Sequence, residues 1–127
     1  NEKRNPFTAD ERKEMILSSI DKPILDRIQI FYIPDLANHE KWIKNIDTVV
    51  PKFDIVFTND ELTKFLYSKR GTTVYSVPFT ERNELSGTNI RDKIMSDQQW
   101  KHLVPNGTKK ILDKIGAKER LKFFNYK

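Results

Sequence analysis

The sequence has no cysteine, which excludes disulfides, thiolate metal sites and cysteine nucleophiles. Its two histidines, His39 and His102, are too few for a multi-histidine metal centre. The sequence also lacks any run of about 18 apolar residues, the minimum for a membrane-spanning helix, and no apolar leader follows Asn1. These absences lead us to expect a protein of the reducing cytoplasm that makes no contact with a membrane.

Glycine is also scarce, and the four glycines are too dispersed to form the phosphate loops G-x-x-x-x-G-K-[ST] or G-x-G-x-x-G. The motifs H-E-x-x-H and G-x-S-x-G are absent as well. The chain does have an excess of basic residues, with a net charge of +5 and a pI of about 9.4. That excess favours phosphorylated partners, either nucleotides or nucleic acid, although a solvated lysine-rich surface accounts for it equally well.

Segments typical of strands and helices alternate along the 127 residues, a length that allows one domain. Strands are predicted over residues 27–33, 53–58 and 73–77, and helices over 8–20, 38–50, 60–69 and 86–95. Three short helical pieces follow over residues 98–103, 108–115 and 117–124. The alternation predicts an α/β fold, an open parallel sheet with flanking helices and a helical C-terminal tail. Because such a fold usually begins with a strand, we expect its opening strand and helix to precede Asn1.

The most informative segment for function is Ser86-Gly87-Thr88-Asn89-Ile90-Arg91, where a helix begins after a strand and a loop. Small residues at a helix start leave backbone N–H groups free, and the helix dipole favours an anion there. Arg91, about one turn further along, can add a charge-assisted hydrogen bond to a phosphate. The alternative is an ordinary Ser/Thr cap beside a surface arginine.

Arg4 is a second basic candidate, because it precedes a helix start that Thr8 and Glu11 mark as a capping box. From there its guanidinium group could join the same polyphosphate site as Arg91. The alternative is a flexible arginine near the terminus of the chain.

Further candidates follow the first two predicted strands, at the edge where open α/β sheets bind ligands. Asp35 and Trp42 follow the first strand, and Trp42 offers a flat face to a heteroaromatic ring, although its spacing also suits a core residue. Thr58, Asn59 and Asp60 follow the second strand. Asn59 or Asp60 could bind a base or a ribose, although either is an equally good helix cap.

Six motifs in this order resemble one family: N-P-F-T-A-x-E-R, I-P-D near a tryptophan, F-D-x-V-[FY]-[ST], S-G-T-x-I-R, W-x-H-L-V-P and G-x-x-E-R-L. The chain is similar to the archaeal-type nicotinamide-nucleotide adenylyltransferases, Rossmann-like enzymes of the nucleotidylyltransferase superfamily. The similarity extends from Arg4 to Leu121. The S-G-T-x-I-R motif marks only the superfamily, whereas the first and fifth motifs narrow the resemblance to this family.

The resemblance implies a single Rossmann-like nucleotidylyltransferase domain over residues 1–127. Its reaction would join ATP and nicotinamide mononucleotide (NMN) to give NAD and pyrophosphate. Mg²⁺ would accompany ATP, and no metal ligand is expected from the chain itself. The family also implies a homo-oligomer, commonly a hexamer, without membrane or nucleic-acid partners.

The resemblance assigns the phosphate site to five residues. Arg91 matches the catalytic arginine on the ATP phosphates, Ser86, Gly87 and Thr88 match the helix-start cradle, and Arg4 matches a second phosphate-binding arginine. On the NMN side, Asp35 falls near a short gap in the match, close to the acidic position of the family.

The remaining matches concern the two nucleosides. Trp42 matches the tryptophan that stacks on the nicotinamide ring, and Asp35 lies close to the acidic residue that helps to hold NMN. Thr58, Asn59 and Asp60 fall where the family contacts adenosine, but family members often have S-G-N at these positions.

One family motif, H-x-G-H after the first strand, is absent from the sequence. We therefore expect that the sequence begins roughly one β-α unit inside a longer protein, and that a protein starting at Asn1 would not catalyse the reaction. Two other interpretations stay open. One is a transferase of the same superfamily with a pantetheine-phosphate or flavin-nucleotide acceptor, and the other is a non-catalytic module that binds nucleotides or nucleic acid.

Overall fold

A computed structural model describes residues 5–125 of the chain, so that Arg4 lies outside the described residues. The elements in order are α1 (Ala9–Ser18), α2 (Lys22–Leu25), α3 (His39–Val49), β1 (Ile55–Phe57), α4 (Glu61–Lys69), β2 (Thr73–Tyr75), α5 (Gly87–Met95), a 3-10 turn (Lys101–Leu103), α6 (Asn106–Ile115) and α7 (Ala117–Asn125). None of these helices has both the length and the apolar character needed to cross a bilayer. Helices alternate with two parallel strands in this order, so the fold class is α/β, as the sequence predicts.

The chain divides into two compact units, of which Phe31–Phe79 contains α3, β1, α4 and β2. Its two strands pair in parallel, with Ile55 opposite Thr73 and Phe57 opposite Tyr75. Helix α4 connects the strands and packs against β2. This β-α-β unit confirms the predicted parallel sheet and is consistent with a Rossmann-like arrangement.

The strand predicted over residues 27–33 is wrong, because the structure assigns no strand there. A β-branched and aromatic run becomes a strand only where a neighbouring strand accepts its backbone hydrogen bonds. Within the described residues β1 and β2 form a sheet with each other, and neither pairs with this segment. The boundary between the two compact units also falls inside the segment, between Ile30 and Phe31.

The strand predicted over residues 53–58 is present as β1, but it is not the buried strand that its short apolar run indicates. Ile55 is 46% exposed and Phe57 is 66% exposed, whereas Val56 between them is half-buried. The same alternation occurs in β2, where Tyr75 is 52% exposed and stacks on Phe57 with ring centroids 5.7 Å apart. One face of the sheet is therefore partly covered, and the other presents aromatic side chains to solvent.

The other unit comprises residues 5–30 and 80–125 and is helical. Its buried core comes from α5, α6 and α7, and Met15 of α1 packs half-buried against it; the buried members are Ile94, Leu112, Ala117 and Leu121. Helix α1 packs against α6 at Gly107, where an added Cβ would lie 2.0 Å from the carbonyl oxygen of Ser18. Glycine at this position is therefore what allows the two helix backbones to approach so closely.

The start of α1 has the predicted capping box, in which Thr8 and Glu11 each accept a hydrogen bond from the other's backbone N–H. The Glu11 carboxylate also receives two hydrogen bonds from Arg120 of α7, at 2.7 and 2.9 Å. Arg120 donates a further bond to the carbonyl oxygen of Pro6, at 3.2 Å. This bidentate pair fixes the segment before α1 to α7, and the bond from Arg120 is the main cause that lowers the pKa of Glu11 to about 2.

We predict that Glu11→Gln lowers the free energy of unfolding at pH 7 by about 1.5–3 kcal/mol, the usual contribution of hydrogen bonds to a charged group. Because the folded pKa lies below the ordinary value of 4.5, the stabilisation is complete above that pH and is lost as the pH falls toward 2. Urea unfolding of the wild type and the variant across this range should therefore give a difference that shrinks on acidification. Glu14→Gln is the control, since its ion pair with Lys114 is exposed and should contribute little. A difference between wild type and Glu11→Gln that does not change with pH would contradict the role of this carboxylate.

Candidate functional site

The segment that the sequence identifies as an anion site lies where expected, at the start of α5. Ser86 is the N-cap, and its hydroxyl oxygen accepts a hydrogen bond of 3.2 Å from the backbone N–H of Asn89. The Asn89 side chain donates in turn to the carbonyl oxygen of Glu84, at 2.9 Å. No acidic residue lies in the first turn of α5, so nothing there opposes an anion at the positive end of the helix dipole.

Arg91 folds back over the same helix start. Its Nη2 donates to the hydroxyl of Thr88 at 3.4 Å, and a Cβ added to Gly87 would lie 2.8 Å from its Nη1. Any side chain at Gly87 would therefore displace the guanidinium group. The structure thus brings Gly87, Thr88 and Arg91 together, and adds a fixed positive charge to the free backbone N–H groups of the first turn.

A cavity of about 320 Å³ lies in the Phe31–Phe79 unit, beside the first turns of α3 and α4. The lining residues are Asp35, Leu36, His39, Trp42, Asp60, Leu62, Thr63 and Leu66. The cavity therefore brings together three of the candidates that follow the predicted strands, namely Asp35, Trp42 and Asp60. Trp42 is half-buried and lines the cavity.

Asp60 closes the turn that follows β1 and caps α4. Its Oδ2 accepts hydrogen bonds from the backbone N–H and the hydroxyl of Thr63, at 2.9 and 2.7 Å. Thr58 supports the turn, because its hydroxyl oxygen accepts from the backbone N–H of Asp60 at 3.1 Å. The two bonds from Thr63 are the main cause that lowers the pKa of Asp60, and the nearby charge of His39 lowers it further. The carboxyl group is therefore ionised at neutral pH.

Asn59 has a structural partner. Its side-chain amide donates to the carbonyl oxygen of Val77 at 2.6 Å and accepts from the backbone N–H of Val77 at 2.8 Å. The amide group thus imitates a strand backbone and extends the pairing of β1 and β2 beyond their last residues. Its predicted contact with adenosine stays a prediction, and what the structure adds is that this amide already holds the chain as it leaves β2.

His39 is a lining residue that the sequence reasoning missed. It is the first residue of α3 and lies three positions before Trp42, a spacing that places both side chains on one face of a helix. That spacing could have identified His39 from the sequence, because Trp42 was already a candidate.

The two groups of candidates belong to different units. Ser86, Gly87, Thr88 and Arg91 lie within residues 80–125, whereas Asp35, Trp42, Thr58, Asn59 and Asp60 lie within Phe31–Phe79. A second cavity, of about 340 Å³, lies in the helical unit beside Trp100. Four of its charged groups pair with one another, Lys118 with Asp97 and Lys101 with Asp113, and Glu119 pairs with Lys122.

Comparison with curated proteins gives a consistent family, although no protein-family model matches the chain. A nicotinamide-nucleotide adenylyltransferase of Methanococcus aeolicus is 37% identical over 123 residues, which cover 97% of this chain and 71% of the relative. Proteins of the same name from Thermococcus sibiricus and Thermoplasma acidophilum are 36% and 33% identical, over 94% and 93% of this chain and 65% and 66% of their own length. The chain thus spans about two thirds of the length of the relatives it matches.

The arrangement at the start of α5 predicts that Arg91→Ala weakens binding of inorganic triphosphate to the chain. Loss of a charge-assisted hydrogen bond costs about 1.5–3 kcal/mol, which corresponds to roughly 10- to 150-fold in the dissociation constant. Isothermal titration calorimetry measures the change directly. Lys93→Ala removes the same charge from the same helix and should change the constant by less than about threefold, because Lys93 does not face the first turn. Equal weakening by both variants would show that only net charge matters.

Proposed function

The chain belongs to the nicotinamide-nucleotide adenylyltransferase family, whose reaction is adenylyl transfer from ATP to NMN, and we propose that it binds both nucleotides in the sites described above. What supports this proposal most is the cavity that gathers Trp42, Asp35 and Asp60, three residues that the family resemblance assigns to the nucleosides. The relatives give no support to a pantetheine-phosphate or flavin acceptor, or to a non-catalytic module.

In the proposed reaction the phosphate of NMN attacks the α-phosphorus of ATP in line. A new oxygen–phosphorus bond forms, and the bond from the α-phosphorus to the departing pyrophosphate breaks and leaves its electron pair on pyrophosphate. No covalent enzyme intermediate is needed. The protein contributes by holding the two substrates in line and by stabilising negative charge on the transferred group.

The start of α5 is proposed to hold the ATP phosphates. The backbone N–H groups at Gly87 and Thr88, the hydroxyl of Ser86 and the guanidinium of Arg91 all supply donors to phosphate oxygens. Arg91 is the proposed catalytic residue because its positive guanidinium group can stabilise the negative charge that develops on the α-phosphoryl group. Arg4 is proposed as a second phosphate ligand on the family resemblance alone.

The cavity beside α3 is proposed to hold the nicotinamide end of NMN, with the ring against Trp42. Asp35 lines the same cavity and is proposed to contact NMN. Thr58, Asn59 and Asp60 remain proposed contacts of adenosine on the family resemblance, and Asp60 also lines the cavity beside Trp42.

Mg²⁺ is proposed to enter with ATP. In the described part of the chain no three His, Cys, Asp or Glu side chains are grouped so that they could hold a metal ion. The ligands of this ion would be mainly phosphate oxygens and water, as is usual for Mg²⁺ with nucleotides. When bound, the ion would neutralise phosphate charge. A homo-oligomer and a place in the cytoplasm also remain proposals based on the family.

The direct test is formation of NAD from ATP and NMN by the full-length protein. We expect NAD and pyrophosphate in equal amounts, and no adenylylated product when phosphopantetheine or FMN replaces NMN. Chromatography of the reaction mixture separates these products. A folded sample that forms no NAD, or that prefers one of the other acceptors, would reject the proposal.

Trp42→Ala is predicted to weaken NMN binding by up to about tenfold and to leave ATP binding within about twofold, because aromatic stacking contributes about 0.5–1.5 kcal/mol beyond area burial. Trp42→Phe retains a ring and should recover most of the affinity. Calorimetric titrations with each nucleotide give both constants, and circular dichroism confirms that the variants are folded. If Trp42→Ala unfolds, and Trp42→Phe binds NMN about tenfold more weakly than the wild type does, stacking is not the role of this residue.

A further inference from the structure

A third cavity, of about 290 Å³, lies in the Phe31–Phe79 unit, where α3 and α4 end and where β1 and β2 begin. We call it the amino-edge cavity, and its polar lining consists of Asp47, Lys52, Tyr67, Arg70 and Thr72. It shares no lining residue with the cavity beside Trp42, which lies at the other ends of the same two helices. The proposed reaction therefore gives this cavity no role.

Tyr67 forms the buried wall of the amino-edge cavity. The residue is 3% exposed, its ring lies edge-on to that of Phe53 with centroids 5.8 Å apart, and the guanidinium carbon of Arg70 lies 5.7 Å from its ring centroid. The Tyr67 hydroxyl makes no hydrogen bond to any other described residue. Because no fully enclosed side-chain oxygen of the described chain lacks a partner, this hydroxyl opens onto the cavity that the residue lines. Buried polar groups of proteins normally have a partner, so this hydroxyl favours a ligand in the cavity.

The Tyr67 hydroxyl is a hydrogen-bond donor at neutral pH. Burial raises the pKa of Tyr67 above its ordinary value of 10.0, the charge of Asp47 raises it further, and the opposing effect of Arg70 is smaller. Tyr67 therefore keeps its proton and can donate it in a hydrogen bond. Arg70 and Lys52 have no acceptor atoms in their side chains, so these groups together favour a ligand that accepts hydrogen bonds.

The charges of the lining favour the same kind of ligand. Arg70 Nη2 donates to Oδ2 of Asp47 at 2.7 Å, and this ion pair engages the one carboxylate of the lining. The other N–H groups of the guanidinium and the ammonium of Lys52 are available to a ligand, since the described residues include no ion pair of Lys52. Two cations and one carboxylate leave the lining positive. An oxyanion therefore matches both the donors and the charge.

The helix ends oppose this preference and limit its strength. The carbonyl ends of α3 and α4 carry partial negative charge, which disfavours an anion near them. In α4 this charge is partly compensated, because the carbonyl oxygen of Tyr67 accepts from the backbone N–H groups of Arg70 and Thr72. The side chains of Arg70 and Asp47 are 41% and 40% exposed, so water screens their charges. We therefore expect weak, millimolar affinity.

The size and the apolar lining of the cavity indicate which oxyanion fits. Val50, Pro51 and Phe53 line it together with the ring of Tyr67. Its volume is at the lower end of the range for ligand pockets, about 300–1,000 Å³, and suits a ligand of about one ring. A phosphate group has no apolar part for these walls, and as a monoester its charge of about −1.5 to −2 at pH 7 would be repelled by Asp47 more strongly than a monoanion.

We propose that the amino-edge cavity binds a small aromatic carboxylate, with its oxygens on Arg70 and the Tyr67 hydroxyl and its ring against Phe53. Lys52, which is exposed, adds a positive charge that attracts the anion. The site uses none of the residues proposed for ATP or NMN, so it stands independently of the proposed function. Because α3 and α4 begin at the cavity beside Trp42 and end here, the ligand contacts both helices of the proposed NMN site.

The experiment titrates the whole chain with benzoate at neutral pH and follows the backbone amide resonances by two-dimensional NMR. We expect saturable shifts around Tyr67, Arg70 and Thr72, with a dissociation constant of about 1 mM because a ligand of so few atoms contributes little binding energy. Benzamide has the same shape without the charge and should bind about fivefold more weakly or worse. Inorganic phosphate should also bind more weakly than benzoate does.

Three substitutions change the benzoate affinity in directions that the geometry fixes. Tyr67→Phe retains the ring and removes the donor, so it should weaken binding about three- to tenfold, and Arg70→Gln should weaken it about tenfold or more. Asp47→Asn should instead strengthen binding about threefold, because it removes a like charge and releases Arg70 Nη2.

Tyr75→Phe and Lys69→Gln are the matched controls. Tyr75 is an exposed tyrosine of the same unit, Lys69 is the exposed cation next to Arg70, and neither lines the cavity, so both variants should bind benzoate within about twofold of the wild type. The inference is overturned by the absence of saturable shifts, by equal or tighter binding of benzamide or phosphate, or by wild-type affinity in Tyr67→Phe and Arg70→Gln. Formation of NAD tests the proposed function separately, so failure of this inference leaves that proposal intact.

Discussion

The cavity beside α3 and α4 depends on one interaction, the pairing of the Asn59 side-chain amide with both backbone groups of Val77. A sheet of two short parallel strands has few backbone hydrogen bonds, so a side chain that continues the ladder matters more than it would in a large sheet. The pairing fixes the carboxyl edge of β1 and β2. Asp60, the next residue, then caps α4 and lines the cavity beside Trp42. A substitution at Asn59 would therefore act on the cavity through the backbone.

Most helices could be predicted from the sequence because their signals are local, whereas the short helix α2 was not predicted. Thr8, Asn38, Asp60 and Ser86 are all N-caps whose side chains accept a backbone hydrogen bond from the first turn. The segment over residues 27–33 has a composition typical of a strand, yet no strand of the described chain pairs with it. Pairing and burial of a strand depend on other parts of the chain, and local composition cannot supply them.

At the site, too, features that depend on neighbouring residues could be predicted from the sequence, and features that depend on distant residues could not. Arg91 lies over the first turn of its helix because spacing along a helix fixes that geometry, and Gly87 provides the room. The two hydrogen bonds between Asn59 and Val77 join residues 18 positions apart, so they depend on the pairing of the strands and are not visible in the sequence. His39 lies between these cases, because its helical spacing from Trp42 is present in the sequence but a lone histidine does not by itself indicate a ligand site.

The proposed function depends on the nicotinamide ring lying against Trp42, and NMR measures this contact most directly. The chain has two tryptophans, so its indole N–H region has two resonances, one for Trp42 and one for Trp100. Titration with NMN should shift the Trp42 resonance until saturation and leave that of Trp100 in place. A shift of Trp100 alone, or no shift of Trp42 at an NMN concentration that saturates the protein by calorimetry, would contradict the account.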